Sequence, residues 1–164
     1  MKIGVISDSH DHIERVRAAA EIFRARGAET IIHCGDFVAP FILKPFKDLK
    51  FTDCLGVFGN NDGEKLWLRD NFKDIGRIAK PPVFVEKAGR RLAVLHEPMP
   101  DDVMDALPVD VVLFGHTHEI VNRKAGAGAP LVLNPGESCG WLTGRATAMI
   151  LDTEALVAEL IELP

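Results

Sequence analysis

The chain has 164 residues, of which 47% are hydrophobic and 26% are charged, as in an ordinary soluble globular protein. This length predicts one domain over residues 1–164, and a net charge of −5 argues against non-specific binding to nucleic acid. No apolar run is long enough to span a membrane, and Met1-Lys2 leads into a strand-like run without a signal-peptide layout.

The three cysteines indicate neither a disulfide framework nor a thiolate metal site. Cys34, Cys54 and Cys139 are far apart, and none belongs to a Cys-x-x-Cys pair. We therefore expect reduced thiols and a cytoplasmic protein.

Strand-like and helix-like segments alternate along the first half of the chain. Apolar runs predict buried strands, and apolar residues at three- to four-residue spacing predict helices. Asp11 is a suitable N-cap for the first helix, and Gly27 is a suitable end. The predicted strands are Ile3–Ile6, Thr30–Ile32 and Thr52–Phe58, and the predicted helices run from Asp11 to Arg26, from Pro40 to Phe46 and from Glu64 to Asn71.

The second half of the chain is mostly strand-like. Ala88-Gly89-Arg90 predicts a hairpin turn, and Gly126-Ala127-Gly128 separates another pair of strands. The segment Leu156–Leu163 fits either a helix or a strand. The other predicted elements are a short helix at Pro100–Leu107 and strands at Val83–Glu86, Arg91–Leu95, Asp110–Phe114, Ile120–Ala125, Pro130–Leu133 and Thr147–Leu151.

A carboxylate and an imidazole follow the first strand in Asp8-Ser9-His10. In an extended chain, side chains two residues apart point the same way, so both can reach one cation at the carboxyl end of the strand. Asp36 follows the second strand after Gly35, which allows a sharp turn toward the same edge. Asp36 would also serve as a cap for the helix Pro40–Phe46, but its neighbours favour a metal ligand.

The third and fifth predicted strands also end in polar residues. Gly59-Asn60-Asn61-Asp62-Gly63 is by composition a tight turn. Its position after a strand favours a second role, because the amide oxygen of Asn60 is a suitable neutral metal ligand. His96 follows the strand Arg91–Leu95 in the same way.

The most specific motif is Gly115-His116-Thr117-His118, directly after the strand Asp110–Phe114. His-x-His places two imidazoles on one side of an extended backbone, and Gly115 permits close approach to what they bind. The alternative, two unrelated surface histidines, is unfavoured at the end of a buried strand. Trp141 remains open between a substrate platform and a packing residue.

Together these motifs resemble the calcineurin-like metallophosphoesterase family. The family signature runs Asp-x-His, Gly-Asp, Gly-Asn with a polar and an acidic residue, His, and Gly-His-x-His. Every element occurs here in that order over essentially the whole chain, which is most similar to the small single-domain phosphodiesterases of archaea and bacteria. The resemblance implies an α/β fold of two stacked mixed β-sheets flanked by helices, as a four-layer α/β/β/α sandwich.

The resemblance also implies two divalent metal ions that share a bridging water and activate it for attack on phosphorus. The implied ligands are Asp8, His10, Asp36 and His118 for one ion, and Asp36, Asn60, His96 and His116 for the other. The implied catalytic residues are Asp36, Asn60, Asn61 and His96. The nitrogen and oxygen set suits Mn²⁺, Ni²⁺, Fe or Zn²⁺ and does not choose between them, and Mn²⁺ or Ni²⁺ is the ion that we expect.

Two positions depart from the family pattern. Many members have a histidine after the metal-binding asparagine that is thought to protonate the leaving group, whereas this chain has Asn61. His96 is followed by Glu97-Pro98, where close relatives often have Gly-His, so we expect phosphate binding or substrate choice to differ. Glu97 is a candidate to hydrogen-bond water or a ligating histidine.

The sequence therefore predicts a metal-dependent phosphodiesterase whose partner is a small phosphate-ester substrate. Two alternatives are a metal-retaining, non-catalytic protein-interaction scaffold, as in a retromer subunit of the same fold, and a mononuclear zinc hydrolase. No basic groove or nucleotide-specific pocket is recognisable in the sequence, and the chain is compatible with a homo-oligomer.

Overall fold

Two β-sheets lie face to face in the computed structural model, which describes residues 1–164. The strands are β1 (Lys2–Ile6), β2 (Ala28–His33), β3 (Asp53–Val57), β4 (Gly76–Ala79), β5 (Val83–Lys87), β6 (Arg90–Val94), β7 (Val111–Leu113), β8 (Ile120–Arg123), β9 (Leu131–Pro135), β10 (Thr147–Asp152) and β11 (Val157–Glu162). The helices are α1 (Ile13–Ala25), α2 (Lys44–Asp48), α3 (Lys65–Phe72) and α4 (Asp101–Asp105), with a 3₁₀ turn at Pro40–Leu43 before α2. None of the four helices combines the length and the apolar character that a bilayer crossing requires.

Each sheet contains both parallel and antiparallel neighbours. The six-stranded sheet has the order β11-β10-β1-β2-β3-β4, in which β1 to β4 run parallel and the other two pairings are antiparallel. The five-stranded sheet has the order β5-β6-β7-β9-β8, with β6, β7 and β9 parallel and both edge strands antiparallel. The carboxyl ends of the parallel strands of a sheet meet at one edge, which is where such sheets place ligands.

Three apolar clusters establish the order of the layers. Ile3 of β1 and Leu113 of β7 belong to a cluster that lies between the two sheets. Phe23 of α1 belongs to a second cluster, through which three helices cover the outer face of the six-stranded sheet. Met104 of α4 belongs to a third cluster on the outer face of the other sheet. The predicted α/β/β/α sandwich is confirmed.

Most predicted elements are present, and the exceptions have local causes. Asp11 is not the N-cap of α1, because His12 occupies that position and Asp11 Oδ1 instead accepts a hydrogen bond from the Ala39 N–H at 2.8 Å. The edge strand β4 has no predicted counterpart, since only Ile78 of its four residues is buried. The ambiguous last segment is a strand, β11, antiparallel to β10.

His33 is a buried, neutral histidine at the end of β2. Its ring stacks on that of Phe37, with centroids 3.6 Å apart. Nδ1 accepts a hydrogen bond from the Gly35 N–H at 3.2 Å, so the ring proton lies on Nε2, which donates to Ser9 Oγ at 3.0 Å. Burial lowers the pKa of His33 well below its usual value.

This histidine should make the free energy of unfolding depend on pH. The unfolded chain protonates His33 below about pH 6.5 while the folded chain keeps it neutral, so stability falls as the pH falls through that value. Between about pH 6.5 and pH 5, His33 should lower the free energy of unfolding of the wild type by up to about 2 kcal/mol. We expect this part of the pH dependence to be absent in His33→Gln. Urea unfolding at the two pH values, with a chelator present, measures the difference.

The control for this experiment is His12→Gln, which removes a half-buried histidine from the start of α1. The pH dependence of this variant is the reference for removing a histidine from outside the core. An unchanged pH dependence in His33→Gln would show that His33 is not the group responsible.

Candidate metal centre

The carboxyl ends of five strands meet at one rim of the two sheets. The loops after β1, β2 and β3 come from the six-stranded sheet, and the loops after β6 and β7 come from the five-stranded sheet. These loops bring together the eight predicted site residues, Asp8, His10, Asp36, Asn60, Asn61, His96, His116 and His118.

Asp8, His10 and His118 form one group of possible metal ligands. Their ligand atoms lie within 4.8 Å of one another, and His118 Nε2 is 3.5 Å from Asp8 Oδ1. Asp8 is fully buried and accepts a hydrogen bond from the His116 backbone N–H at 3.0 Å. Burial raises the pKa of Asp8, so a neighbouring cation would favour its ionised form.

Asp8 also belongs to a second group, Asp8, Asp36 and His96, whose ligand atoms again lie within 4.8 Å of one another. Asp36 Oδ2 is 3.7 Å from His10 Nε2, and Asp36 Oδ1 is 3.4 Å from His96 Nε2. The carboxylate accepts hydrogen bonds from the backbone N–H and the Nδ2 of Asn61, each at 2.8 Å. Asp36 therefore contacts histidines of both groups.

The alternative role of Asp36 as a helix cap is wrong. Ala39 occupies the position before the 3₁₀ turn, and no side chain caps that turn. Burial raises the pKa of Asp36, but hydrogen bonds from His96 and Asn61 outweigh burial and hold the pKa well below its usual range. Asp36 is therefore an ionised, 1% exposed carboxylate.

Asn60 joins two histidines that follow different strands. Its Oδ1 lies 2.8 Å from His96 Nε2 and 2.9 Å from His116 Nδ1. His96 Nδ1 donates to the Cys34 carbonyl at 2.8 Å, which leaves His96 Nε2 facing Asn60 and Asp36. Burial lowers the pKa of His96, but its hydrogen bond to Asp36 outweighs burial and raises the pKa overall.

The orientation of these rings fits bound cations. His10 Nε2 is buried without any hydrogen-bond partner. The Nε2 atoms of His96 and His118 face oxygens of Asp36 and Asp8 while their Nδ1 atoms donate elsewhere. Since Nδ1 of His96 and of His118 donates elsewhere, Nε2 of each ring reaches its carboxylate favourably only through an additional proton or through a cation bound between them.

The donor set consists of nitrogen and oxygen atoms. The three cysteines are free and buried, and burial raises the pKa of Cys54 and of Cys139 to about 12. Thiolate ligation at neutral pH is therefore not favoured, as the scattered cysteine spacing predicted.

The backbone of the ligand loops differs from the prediction. Asp8, His10, Asp36, His116 and His118 have φ between 38° and 67°, in the left-handed region. The expectation that Asp-x-His and His-x-His lie on extended chain is wrong, since the side chains converge through tight turns after the strands end. Such conformations cost on the order of 1–3 kcal/mol each in non-glycine residues. Hydrogen bonds between loops hold them, including Asp8 N–H to the Gly35 carbonyl at 3.0 Å.

Two glycines allow the loops to approach this closely. A side chain at Gly115 would overlap Ser7 Oγ and the carboxylate of Asp8. A side chain at Gly59 would overlap the carboxylate of Asp36. The close approach predicted for Gly115 is therefore made to neighbouring protein atoms.

Glu137 is a site residue that the motifs did not indicate. It is fully buried, and its Oε2 lies 2.7 Å from His118 Nδ1. The carboxylate also accepts hydrogen bonds from the Leu142 N–H at 2.9 Å and from the Thr143 hydroxyl at 2.7 Å. Burial raises the pKa of Glu137, but these bonds outweigh burial and hold the pKa at about 2. The only sequence signal is a lone acidic residue directly after Asn134-Pro135-Gly136.

Asp62 is a second buried carboxylate outside the predicted ligand set. Its Oδ1 accepts hydrogen bonds from the Phe37 and Val38 N–H groups at 2.8 Å, and its Oδ2 accepts one from the Gly59 N–H at 2.7 Å. Asp62 thereby ties the loop after β2 to the loop after β3.

Glu97 and Trp141 are two residues whose contacts the sequence left open. Glu97 is exposed and hydrogen-bonds no histidine, so the carboxylate that contacts a candidate ligand is Glu137 instead. Trp141 is 63% exposed; its ring is stacked beside His10 at a centroid distance of 6.4 Å and lies tilted beside His12 at 5.9 Å. Trp141 therefore packs on the site and still presents surface to solvent.

Known proteins share both this sequence and this architecture. The family model for the calcineurin-like phosphoesterase superfamily domain matches residues 1–156. The chain is 42% identical over 159 residues to Phosphodiesterase MJ0936 of Methanocaldococcus jannaschii, covering 94% of each protein. A solved archaeal phosphodiesterase is 40% identical, with a TM-score of 0.89 over 99% of this chain and 100% of that one.

More distant structures share the fold alone. The phosphoesterase YfcE from E. coli is 20% identical with a TM-score of 0.72, and a Vps29 variant from Entamoeba histolytica is 16% identical with a TM-score of 0.65, each over the full length of both chains. The family model implies divalent metal ions, for which the rim offers possible ligands. The chain is a hydrolase of phosphoric ester bonds and belongs to the calcineurin-like phosphoesterase superfamily.

Proposed function

We propose that the chain is a dinuclear metal-dependent phosphodiesterase that hydrolyses small phosphodiesters. The observation that carries the proposal is that the Nε2 atoms of three histidines, His10, His96 and His118, face oxygens of two buried carboxylates. The 42% identity to a protein named as a phosphodiesterase supports the choice of a diester substrate.

The proposed ligand sets share Asp36, because its two oxygens face histidines on both sides. The sets are Asp8, His10, Asp36 and His118 for one ion, and Asp36, Asn60, His96 and His116 for the other. When bound, a pair of divalent cations neutralises the phosphoryl oxygens and activates the water that attacks phosphorus. Mn²⁺ and Ni²⁺ are the proposed ions.

Asn61 is proposed to position Asp36. Its two N–H donors to the Asp36 carboxylate fix the orientation of both oxygens. An amide does not release a proton at neutral pH, so this position supplies no acid for the leaving group. Diesters with good leaving groups, such as nitrophenyl esters, should therefore react fastest.

Glu137 is proposed to position His118. A carboxylate that accepts the Nδ1–H of a ligating histidine fixes the ring and makes Nε2 a stronger donor. The same carboxylate holds the Leu142 and Thr143 backbone, so it also fixes the loop that carries Trp141.

The scaffold alternative is not favoured, because no position of the ligand pattern is missing and the likeness to Vps29 is one of fold alone.

The proposed active unit comprises residues 1–164. We propose that it acts in the cytoplasm, in keeping with three free, buried thiols.

Hydrolysis of bis(p-nitrophenyl) phosphate should require Mn²⁺ or Ni²⁺ and should stop when EDTA is added. Asp36 contacts both halves of the site, so Asp36→Asn should lower kcat at least about a hundredfold. This exceeds the usual effect of replacing a residue that contacts a metal ligand but not the metal itself. Release of p-nitrophenolate measures the rate, and elemental analysis counts the metal.

The matched control is Asp48→Asn, which changes a surface carboxylate paired with Lys44 and should leave kcat unchanged. Turnover that persists in excess EDTA, or no turnover with any divalent cation, would contradict the proposal. Two metal equivalents per chain support the dinuclear site, and one equivalent supports the mononuclear alternative.

Glu137→Gln should weaken Mn²⁺ binding by about 10- to 100-fold, the range of substitutions that disturb the partner of a ligating histidine. The reason is that a neutral amide oxygen accepts the Nδ1–H of His118 more weakly than a carboxylate does. Titration calorimetry with Mn²⁺ measures the affinity, and circular dichroism reports the fold.

The control is Thr143→Val, which removes one hydrogen bond to Glu137 and leaves the Glu137–His118 contact in place. Its Mn²⁺ affinity should stay close to that of the wild type. Equal losses in the two variants would assign Glu137 to loop structure alone.

A further inference from the structure

Two pockets flank the metal centre, one at each group of histidines. The lysine pocket has a volume of about 580 Å³ and includes Phe58, Asn60, Lys65, Lys80, His96 and Met99. The tryptophan pocket has a volume of about 220 Å³ and is formed by His10, Asn61, His118, Cys139, Trp141 and Leu142. Only the larger volume lies within the usual range for small-molecule sites.

The lysine pocket combines apolar surface with two available cations. Phe58 and Met99 are partly buried beside it. Lys65 and Lys80 are exposed and have no carboxylate partner, whereas Lys44, Lys47, Lys73 and Lys87 are all paired. Glu97 also lines the pocket but pairs with neither lysine. The ionic side chains of the pocket, two lysines and one glutamate, carry a net charge of +1.

The tryptophan pocket has a different character. No lysine or arginine lines it, and its largest open surface belongs to Trp141 and Leu142, which are 63% and 78% exposed. Its size and lining suit a small uncharged ring. An anionic arm would meet no lysine or arginine there.

A phosphodiester has two ester arms, and the two pockets lie at the two ends of the centre that would hold its phosphoryl group. Building on the proposed phosphodiesterase function, we propose that the substrate is a diester with a second phosphate on the arm that occupies the lysine pocket. Lys65 and Lys80 bind that phosphate, since an ammonium group is a common phosphate ligand. Phe58 and Met99 pack against the body of the arm.

A matched pair of chromogenic diesters tests this assignment with the Mn²⁺-loaded enzyme. One is thymidine 5′-(p-nitrophenyl phosphate), and the other is the same compound with a 3′-phosphate. Both release p-nitrophenol from the same diester, so the ratio of their kcat/KM values isolates the second phosphate. We expect a preference of about tenfold for the phosphorylated compound, the effect of one hydrogen bond to a charged group.

The double variant Lys65→Gln/Lys80→Gln should bring this ratio close to one. The control Lys50→Gln/Lys124→Gln removes the same charge from two exposed lysines outside the pocket and should leave the ratio at its wild-type value. The wild-type ratio should also fall with added salt, because exposed charges are screened.

A second pair of p-nitrophenyl diesters, with and without the second phosphate, has glycerol in place of thymidine. This pair shows whether the nucleoside contributes to the preference. A preference in both pairs supports recognition of the phosphate alone, and a preference in the thymidine pair alone supports a nucleotide arm. Equal kcat/KM values within both pairs, or a ratio unchanged in Lys65→Gln/Lys80→Gln, would overturn the inference while leaving the phosphodiesterase proposal intact. No hydrolysis of any of the four compounds would count against the phosphodiesterase proposal itself.

Discussion

The buried carboxylate of Asp36 is the constraint on which the rim of this protein depends. An ionised group that is 1% exposed needs compensating partners, and Asn61, His96 and His10 surround it. Asp62 adds to this by binding the N–H groups of the next two residues and of Gly59. The loops after β2 and β3 are thereby held as one unit. The histidines that follow strands of the five-stranded sheet contact this unit.

Much of this architecture follows from local features of the sequence. Apolar runs such as Ile3–Ile6 mark buried strands, and polar residues directly after them mark the edge of the sheets where ligands gather. The placement of Asp8, Asp36 and His96 after predicted strands therefore predicted their meeting in space. The proposed assignment of these residues to two metal ions came from the family resemblance, since strand periodicity alone does not contain it.

The rest depends on contacts between segments that are distant in sequence. The left-handed backbone of Asp8 is held by the Gly35 carbonyl, which no local pattern encodes. Glu137 became recognisable as part of the site only when the fold placed His118 beside it. The lysine pocket is similar, because Lys65 and Lys80 are fifteen positions apart and form no basic cluster in the sequence.

The hydrogen bonds of Glu137 restrict which substitutions the loop beside Trp141 can accept. One carboxylate holds both His118 and the loop of Trp141, so a substitution that reshapes this loop would also disturb the orientation of His118. Lys65 and Lys80 are exposed and make no such hydrogen bonds. Substitutions at the lysine pocket should therefore change selectivity without disturbing the rim, whereas substitutions beside Trp141 act on His118 as well.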